Sequence, residues 1–199
     1  MQRRTLIQTA LASSLAAALP AFAQSSNTWP TGKAITYLVP FPAGGTTDVL
    51  GRLIGQKLGT VLGTSVIIDN KGGAGGSVGS EIGARAAPDG FTLVGGTISS
   101  HAINASVYSN MPYDAVKSFE PVILLGSNPL VFAVNANTPY KSLKDVLDAA
   151  RAKPGQLAFA SPGPGTSPHL AGELLKTLTN VDLISTFRRS DVAPVRSSE

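Results

Sequence analysis

AITYLVPFPAGGTTD, residues 34–48, decides the fold. Ile35 to Val39 read as a buried strand, and Pro40 to Asp48 then turn on glycine and threonine straight into a helix. Leu50, Leu53, Ile54, Leu58, Val61 and Leu62 carry that helix at helical spacing, and Gly59 and Gly63 mark its end. The unit recurs twice. Val66–Asp69 runs into Asn70–Ser77, and Leu157–Ala160 runs into Ser161–Ser167, each followed by another amphipathic helix. Strands alternating with helices at this rhythm predict an α/β protein with parallel sheets. In such sheets ligands bind at the carboxyl ends of the strands, where helix N-termini present N–H groups to small anions.

The remaining elements follow the same pattern. Val78, Ile82 and Ala86 mark a short helix closed by the turn Pro88-Asp89-Gly90, and Phe91–Val94 reads as a strand ending in Gly95-Gly96-Thr97. Val122–Leu125 and Leu130–Val134 read as two further strands. Ser142 with Asp145 forms a capping box for a helix that stops at Pro154-Gly155. Ser167-Pro168 opens the last helix, whose expected buried stripe is Leu170, Ala171, Leu174, Leu175 and Leu178.

The first residues read as an export signal: Arg3 and Arg4, the apolar run Leu6–Leu19, then Ala21-Phe22-Ala23 before Gln24. The apolar run is short for a bilayer span and is broken by Ser13, Ser14 and Pro20. The paired arginines fit a twin-arginine and an ordinary secretory route alike. The expectation is a periplasmic protein with no membrane insertion once residues 1–23 are removed. There is no cysteine, which excludes a disulfide scaffold, a thiol nucleophile and a Cys-ligated metal. Without Arg3 and Arg4 the chain holds 14 basic and 12 acidic residues. That balance, with no Lys/Arg run, argues against nucleic acid, which needs a basic footprint.

Phe41, Ala43, Gly44, Gly45, Thr46, Thr47 and Asp48 form the first candidate ligand loop. Glycines let a backbone approach a ligand closely and threonines add hydroxyls; the same residues also suit a tight strand-to-helix turn. Ser161, Gly163, Gly165, Thr166, Ser167 and His169 form the second. His169 sits at the positive end of its helix, so a neutral, hydrogen-bonding imidazole is expected. With His101 as the only other histidine, a metal site has no paired spacing, and no cofactor is expected. The glycine run 72–76 ends neither as a Walker A motif nor as a dinucleotide fingerprint.

One rival reading concerns catalysis. Gly75-Gly76-Ser77-Val78-Gly79 is a literal G-x-S-x-G, and Asp148 and His169 follow in the order of a secreted serine hydrolase. A nucleophile elbow, however, places its serine on a sharp turn directly off a strand, and here mostly glycine residues intervene after Asp69.

Tyr37 to Gly45 with Asp48 resembles the first ligand loop of the Bug family, periplasmic solute-binding proteins of tripartite tricarboxylate transporters. In the family's order follow Asp69 to Gly76, Ala87-Pro88-Asp89-Gly90, Pro112-Tyr113-Asp114, Phe119-Glu120-Pro121, and Ser161–Thr166 with His169 to Glu173. The resemblance implies a two-lobed, Venus-flytrap-like α/β fold that clasps a small carboxylate, without catalysis. It implies partnership with the membrane components of the transporter. Thr97 joins the two loops as a cleft residue in this picture. Residues 24–121 would then be a first lobe and 122–184 the start of a second, both incomplete. From Ser185 to Glu199 the apolar period ends, which reads as non-native sequence, such as a frameshifted end, or as a disordered tail. Family members continue past this point with a Val-Pro-Tyr-Lys/Arg-Gly-like loop, and impaired folding and binding are expected.

Overall fold

The computed structural model describes residues 29–187. The export signal and residues 188–199 of the expected foreign tail lie outside them. Two parallel sheets form. In the first, β1 (Ile35–Val39) lies between β2 (Val66–Asn70) and β3 (Thr92–Val94), with Ile35 opposite Val66 and Tyr37 opposite Leu93. As the central strand β1 is buried: Ile35, Tyr37, Leu38 and Val39 make up its core. In the second sheet β4 (Ala158–Ser161) pairs with β5 (Ile184–Phe187), with Ala158 opposite Ile184. Its core is Ala150, Val181 and Leu183, packed with Leu147, Leu157 and Phe159. The expected α/β architecture is present.

Five helices connect these strands: α1 (Thr46–Leu62), α2 (Ser77–Ala84), the short α3 (Asn104–Val107), α4 (Leu143–Ala152) and α5 (Ser167–Thr179). A one-turn 3-10 segment, Ala74–Gly76, precedes α2, and a π-helical turn, Ser99–Ile103, precedes α3. Two of the end signals are as read, whereas α1 takes Gly45 and not Thr46 or Thr47 as its N-cap, with no side-chain cap. Gly63 ends α1 at φ 64°, and the Ser142–Asp145 capping box starts α4 with both reciprocal hydrogen bonds.

The helix faces are only in part as read. On α1 the residues set against the sheet are glycines: a Cβ at Gly51 would lie 3.0 Å from the Tyr37 ring, and one at Gly55 2.9 Å from Ile68. Leu53 and Val61 face outward. On α2 Gly79 and Gly83 approach Pro40 and Val94, while Val78 and Ile82 are exposed. On α5 the expected stripe holds only in part: Ala171 and Leu175 are half-buried, but Leu170, Leu174 and Leu178 are exposed and Gly172 packs on Phe159. A glycine contact lets the helix axis come closer to the strands than leucine allows, and that approach turns the larger residues away.

Two further expectations are corrected. Val122–Leu125 and Leu130–Val134 form no strand, and Val122 and Leu124 are 80 % and 84 % exposed. A strand exists only with a ladder partner, and no described segment pairs with these residues. Ser185, Thr186 and Phe187, expected to fall outside the fold, complete β5, with Phe187 opposite Ser161.

Candidate functional site

Because every strand pair is parallel, the loops following β1, β2 and β3 emerge along one edge. The Lys71 N–H donates to the Val39 carbonyl at 2.8 Å, and the Gly95 N–H to the Leu38 carbonyl at 2.8 Å. The first candidate loop is held from below by Asp48. This buried carboxylate accepts from the Gly44 N–H at 2.8 Å, from Arg52 Nε at 3.0 Å and from Asn70 Nδ2 at 3.0 Å. Arg52 also reaches its second oxygen at 3.0 Å, and Asn70 Nδ2 donates to the Phe41 carbonyl at 3.2 Å. The Arg52 guanidinium and the Gly44 N–H hold the Asp48 carboxyl down at about 2, against an ordinary 3.8. Asp48 therefore supports the loop from inside instead of facing a ligand, and Asn70 and Arg52 are the supports that sequence reading missed.

Above that anchor the loop is open. Gly44 turns at φ 85°, and Gly45, the residue before the helix, offers α1 no side-chain cap. Ala43, Gly44, Gly45 and Thr46 are exposed, and Thr47 is half-buried against Gly95. Phe41 packs its ring on Gly76, which also touches Ser100. The N-terminus of α1 is thus left exposed at Gly45 and Thr46 without a side-chain cap, and the nearby Arg52 is engaged by Asp48.

Thr97 stands two residues beyond Gly95. Its N–H donates to Ser100 Oγ at 3.1 Å, and the two hydroxyls lie 3.3 Å apart. Ser100 Oγ is also 2.9 Å from His101 Nδ1. Burial between Tyr113 and Phe119 pushes the His101 imidazole below its ordinary range, toward the neutral form. The next link reaches the second sheet. Ser99 Oγ accepts from the Ser167 N–H at 3.1 Å and lies 3.2 Å from Ser167 Oγ.

The second candidate loop follows β4. Thr166 turns its hydroxyl back onto the Gly163 carbonyl at 2.7 Å, so α5 also has no side-chain cap. Gly163 and Gly165 hold φ of 140° and 75°. Ser161 Oγ and His169 Nδ1 are buried without a hydrogen-bond partner among the described residues, and His169 Nε2 is 4.0 Å from Glu173. Both candidate loops and Thr97 are therefore linked through Ser99 and Ser100, which sequence reading did not single out. A Ser-Ser pair just past a Gly-Gly-Thr strand end was the available signal.

The hydrolase geometry is absent at Ser77. Its buried hydroxyl accepts from Asn104 Nδ2 at 2.9 Å and faces the Met111 sulfur at 3.9 Å; neither is a base. Among the described residues no cluster of three or more His, Cys, Asp or Glu could hold a metal. No helix among them is long and apolar enough to cross a membrane.

Residues 50–195 match the family described as the tripartite tricarboxylate transporter family receptor. The chain is 36 % identical to BugT of Bordetella pertussis over 156 residues, 78 % of this chain and 48 % of that protein. Among solved structures, Rhodopseudomonas palustris Rpa4515 with adipate superposes with a TM-score of 0.77 at 38 % identity, covering 80 % of this chain and 53 % of that one. MatC from the same organism with bound malate superposes with a TM-score of 0.73 at 31 % identity, covering 79 % and 54 %. The chain shares the α/β fold of these binding proteins. It spans about half the length of the curated relatives it matches.

Proposed function

We propose that this chain, which belongs to the tripartite tricarboxylate transporter receptor family, captures a small carboxylate between its two sheets for delivery to a membrane transporter. The observation that carries the reading is the Ser99–Ser167 contact, which brings two uncapped helix N-termini to one hydroxyl-rich turn. A helix N-terminus carries about half a positive charge, so two of them complement a dicarboxylate without a lysine or arginine. Gly45 and Thr46 would meet one carboxylate; Ser161, Ser167 and His169 would meet the other end, with Thr97 between them. The adipate and malate held by Rpa4515 and MatC support this ligand class. Closure of the second loop on the first would mark the loaded state for membrane components, and no bond-making step is assigned.

The same reading takes residues 24–121 and 122–184 as parts of two lobes, exported to the periplasm by the N-terminal signal. Exposed apolar surface at Val122–Val134 and along α5 supports weaker binding by this stretch than by its longer relatives. Ligand-observed NMR with malate and adipate tests the proposal. Saturable binding that Gly45→Val abolishes is expected. A Cβ at Gly45 meets nothing nearer than the Pro42 carbonyl at 3.6 Å, so the variant fills the ligand's place without straining the fold. Unchanged binding in Gly45→Val would remove the first loop from the site; no saturable signal with either acid would remove the carboxylate reading.

A further inference from the structure

Asn104 is fully buried, yet half of its amide has no partner. Its Nδ2 donates to Ser77 Oγ at 2.9 Å and to the Gly75 carbonyl at 3.0 Å, with the Ala74 carbonyl at 3.4 Å. Carbonyl oxygens only accept, so the amino group is fixed on that side and Oδ1 on the other. Two glycines from different sheets face that oxygen. A Cβ at Gly75 would lie 2.9 Å from Oδ1, and one at Gly165 3.2 Å. Both hold positive φ, 61° and 75°. Gly75 belongs to the turn after β2, Gly165 to the second ligand loop. One turn beyond Asn104, the Tyr108 hydroxyl donates to the Pro164 carbonyl of that loop at 3.4 Å.

A buried amide oxygen without a donor loses its hydration and gains nothing in return. Of the second loop, Gly165 lies directly against it. We propose that Asn104 is a positioning residue that couples the glycine turn after β2 to the second ligand loop. Its amino group holds the glycine turn of the first sheet, and its Oδ1 takes the backbone N–H of Gly163 or Gly165 when that loop draws in around ligand. The closing role rests on the carboxylate-capture reading; the coupling of the loops does not.

Hydrogen exchange read by mass spectrometry on the whole chain tests both. Without ligand, Asn104→Ala should speed exchange in Gly73–Ser77 and Gly163–Ser167 together, by about tenfold, and leave β1 unchanged. Unchanged exchange in Gly163–Ser167 overturns the coupling, and so does a uniform acceleration that includes β1, which marks a merely structural residue. If Asn104→Ala does not fold, Asn104→Ser, too short to span both turns, supplies the same comparison. With malate or adipate, protection of Gly163–Ser167 in the wild type should vanish in the variant, and protection that persists overturns the closing role. If neither acid protects the wild type, the carboxylate reading and the closing role fall together, while the ligand-free comparison still decides the coupling.

Discussion

The Phe41–Asp48 loop is fastened by charge, whereas the Ser161–His169 loop is fastened by hydroxyls. Beneath the first, both oxygens of Asp48 are occupied by a backbone N–H, a guanidinium and an amide. Beneath the second, Ser161 Oγ and His169 Nδ1 are buried without a partner among the described residues, and the hydrogen bonds across join Ser167 to Ser99 and the Tyr108 hydroxyl to the Pro164 carbonyl. The scaffolds differ in the same direction: three strands around a buried β1 against two strands on a smaller cluster. One loop is prebuilt and the other retains unspent hydrogen-bonding capacity, which suits a receptor whose fixed half receives ligand and whose looser half closes.

The contrast breaks most directly at the helix contacts. Gly79→Ala would set a Cβ 2.6 Å from the Lys71 carbonyl oxygen and 2.7 Å from Pro40 Cα, main-chain atoms that no rotamer change can remove. A loss of about 3 kcal/mol is expected, the upper end for overpacking. Gly172→Ala meets only the Phe159 ring, a side chain that can turn on the looser sheet. Alanine's better helix propensity offsets part of that strain, so about 1 kcal/mol is expected. Urea denaturation of the pair measures both; equal losses would show that the second sheet is as unyielding as the first.

Acid sharpens the same comparison. The depressed Asp48 pKa means that its contribution is complete above the unfolded value of 3.8 and is lost as pH falls through about 2. Asp48→Asn should therefore melt below the wild type at neutral pH, and the gap should close as pH falls from about 4 toward 2. A gap independent of pH across that window would mean that shape, not charge, holds the loop.

How much of this was legible depends on whether the cue was local. The strands β1 and β2, the Gly63 stop, the Ser142 capping box and the Pro168 start all rest on adjacent residues, and all are present. The helix faces on α1 and α5 are legible only in part, Leu50, Ile54, Leu58, Ala171 and Leu175 being half-buried, because glycine adds almost nothing to a hydrophobic period and a face buried through Gly51, Gly55 or Gly172 is invisible to it. Val122–Val134 is apolar enough for strands but lacks the ladder partner that makes one. Both segments turn from a strand into a helix as read, since a Gly-Thr turn before a helix is a local cue. The residues that link them were not: Ser99 and Ser167 are 68 positions apart, and Asn70 and Asp48 are 22. Asp48 was legible as a helix-start acid but not as an inward-facing one, because its partners come from another strand.

The smallest expected effect on stability bears most directly on the idea of unspent capacity. Ser161 ends β4, is 8 % exposed and leaves its hydroxyl unpartnered. Removing a buried hydroxyl that makes no bond also removes its desolvation cost, so Ser161→Ala should be neutral or slightly stabilising without ligand, within about 0.5 kcal/mol. If that hydroxyl is held for the carboxylate, the same substitution should weaken malate or adipate binding by roughly tenfold, the worth of a hydrogen bond to a charged group. The two measurements then move in opposite directions. A fall in stability of 1 kcal/mol or more would mean that the hydroxyl has a partner within the folded chain, and the second loop would be as fully fastened as the first.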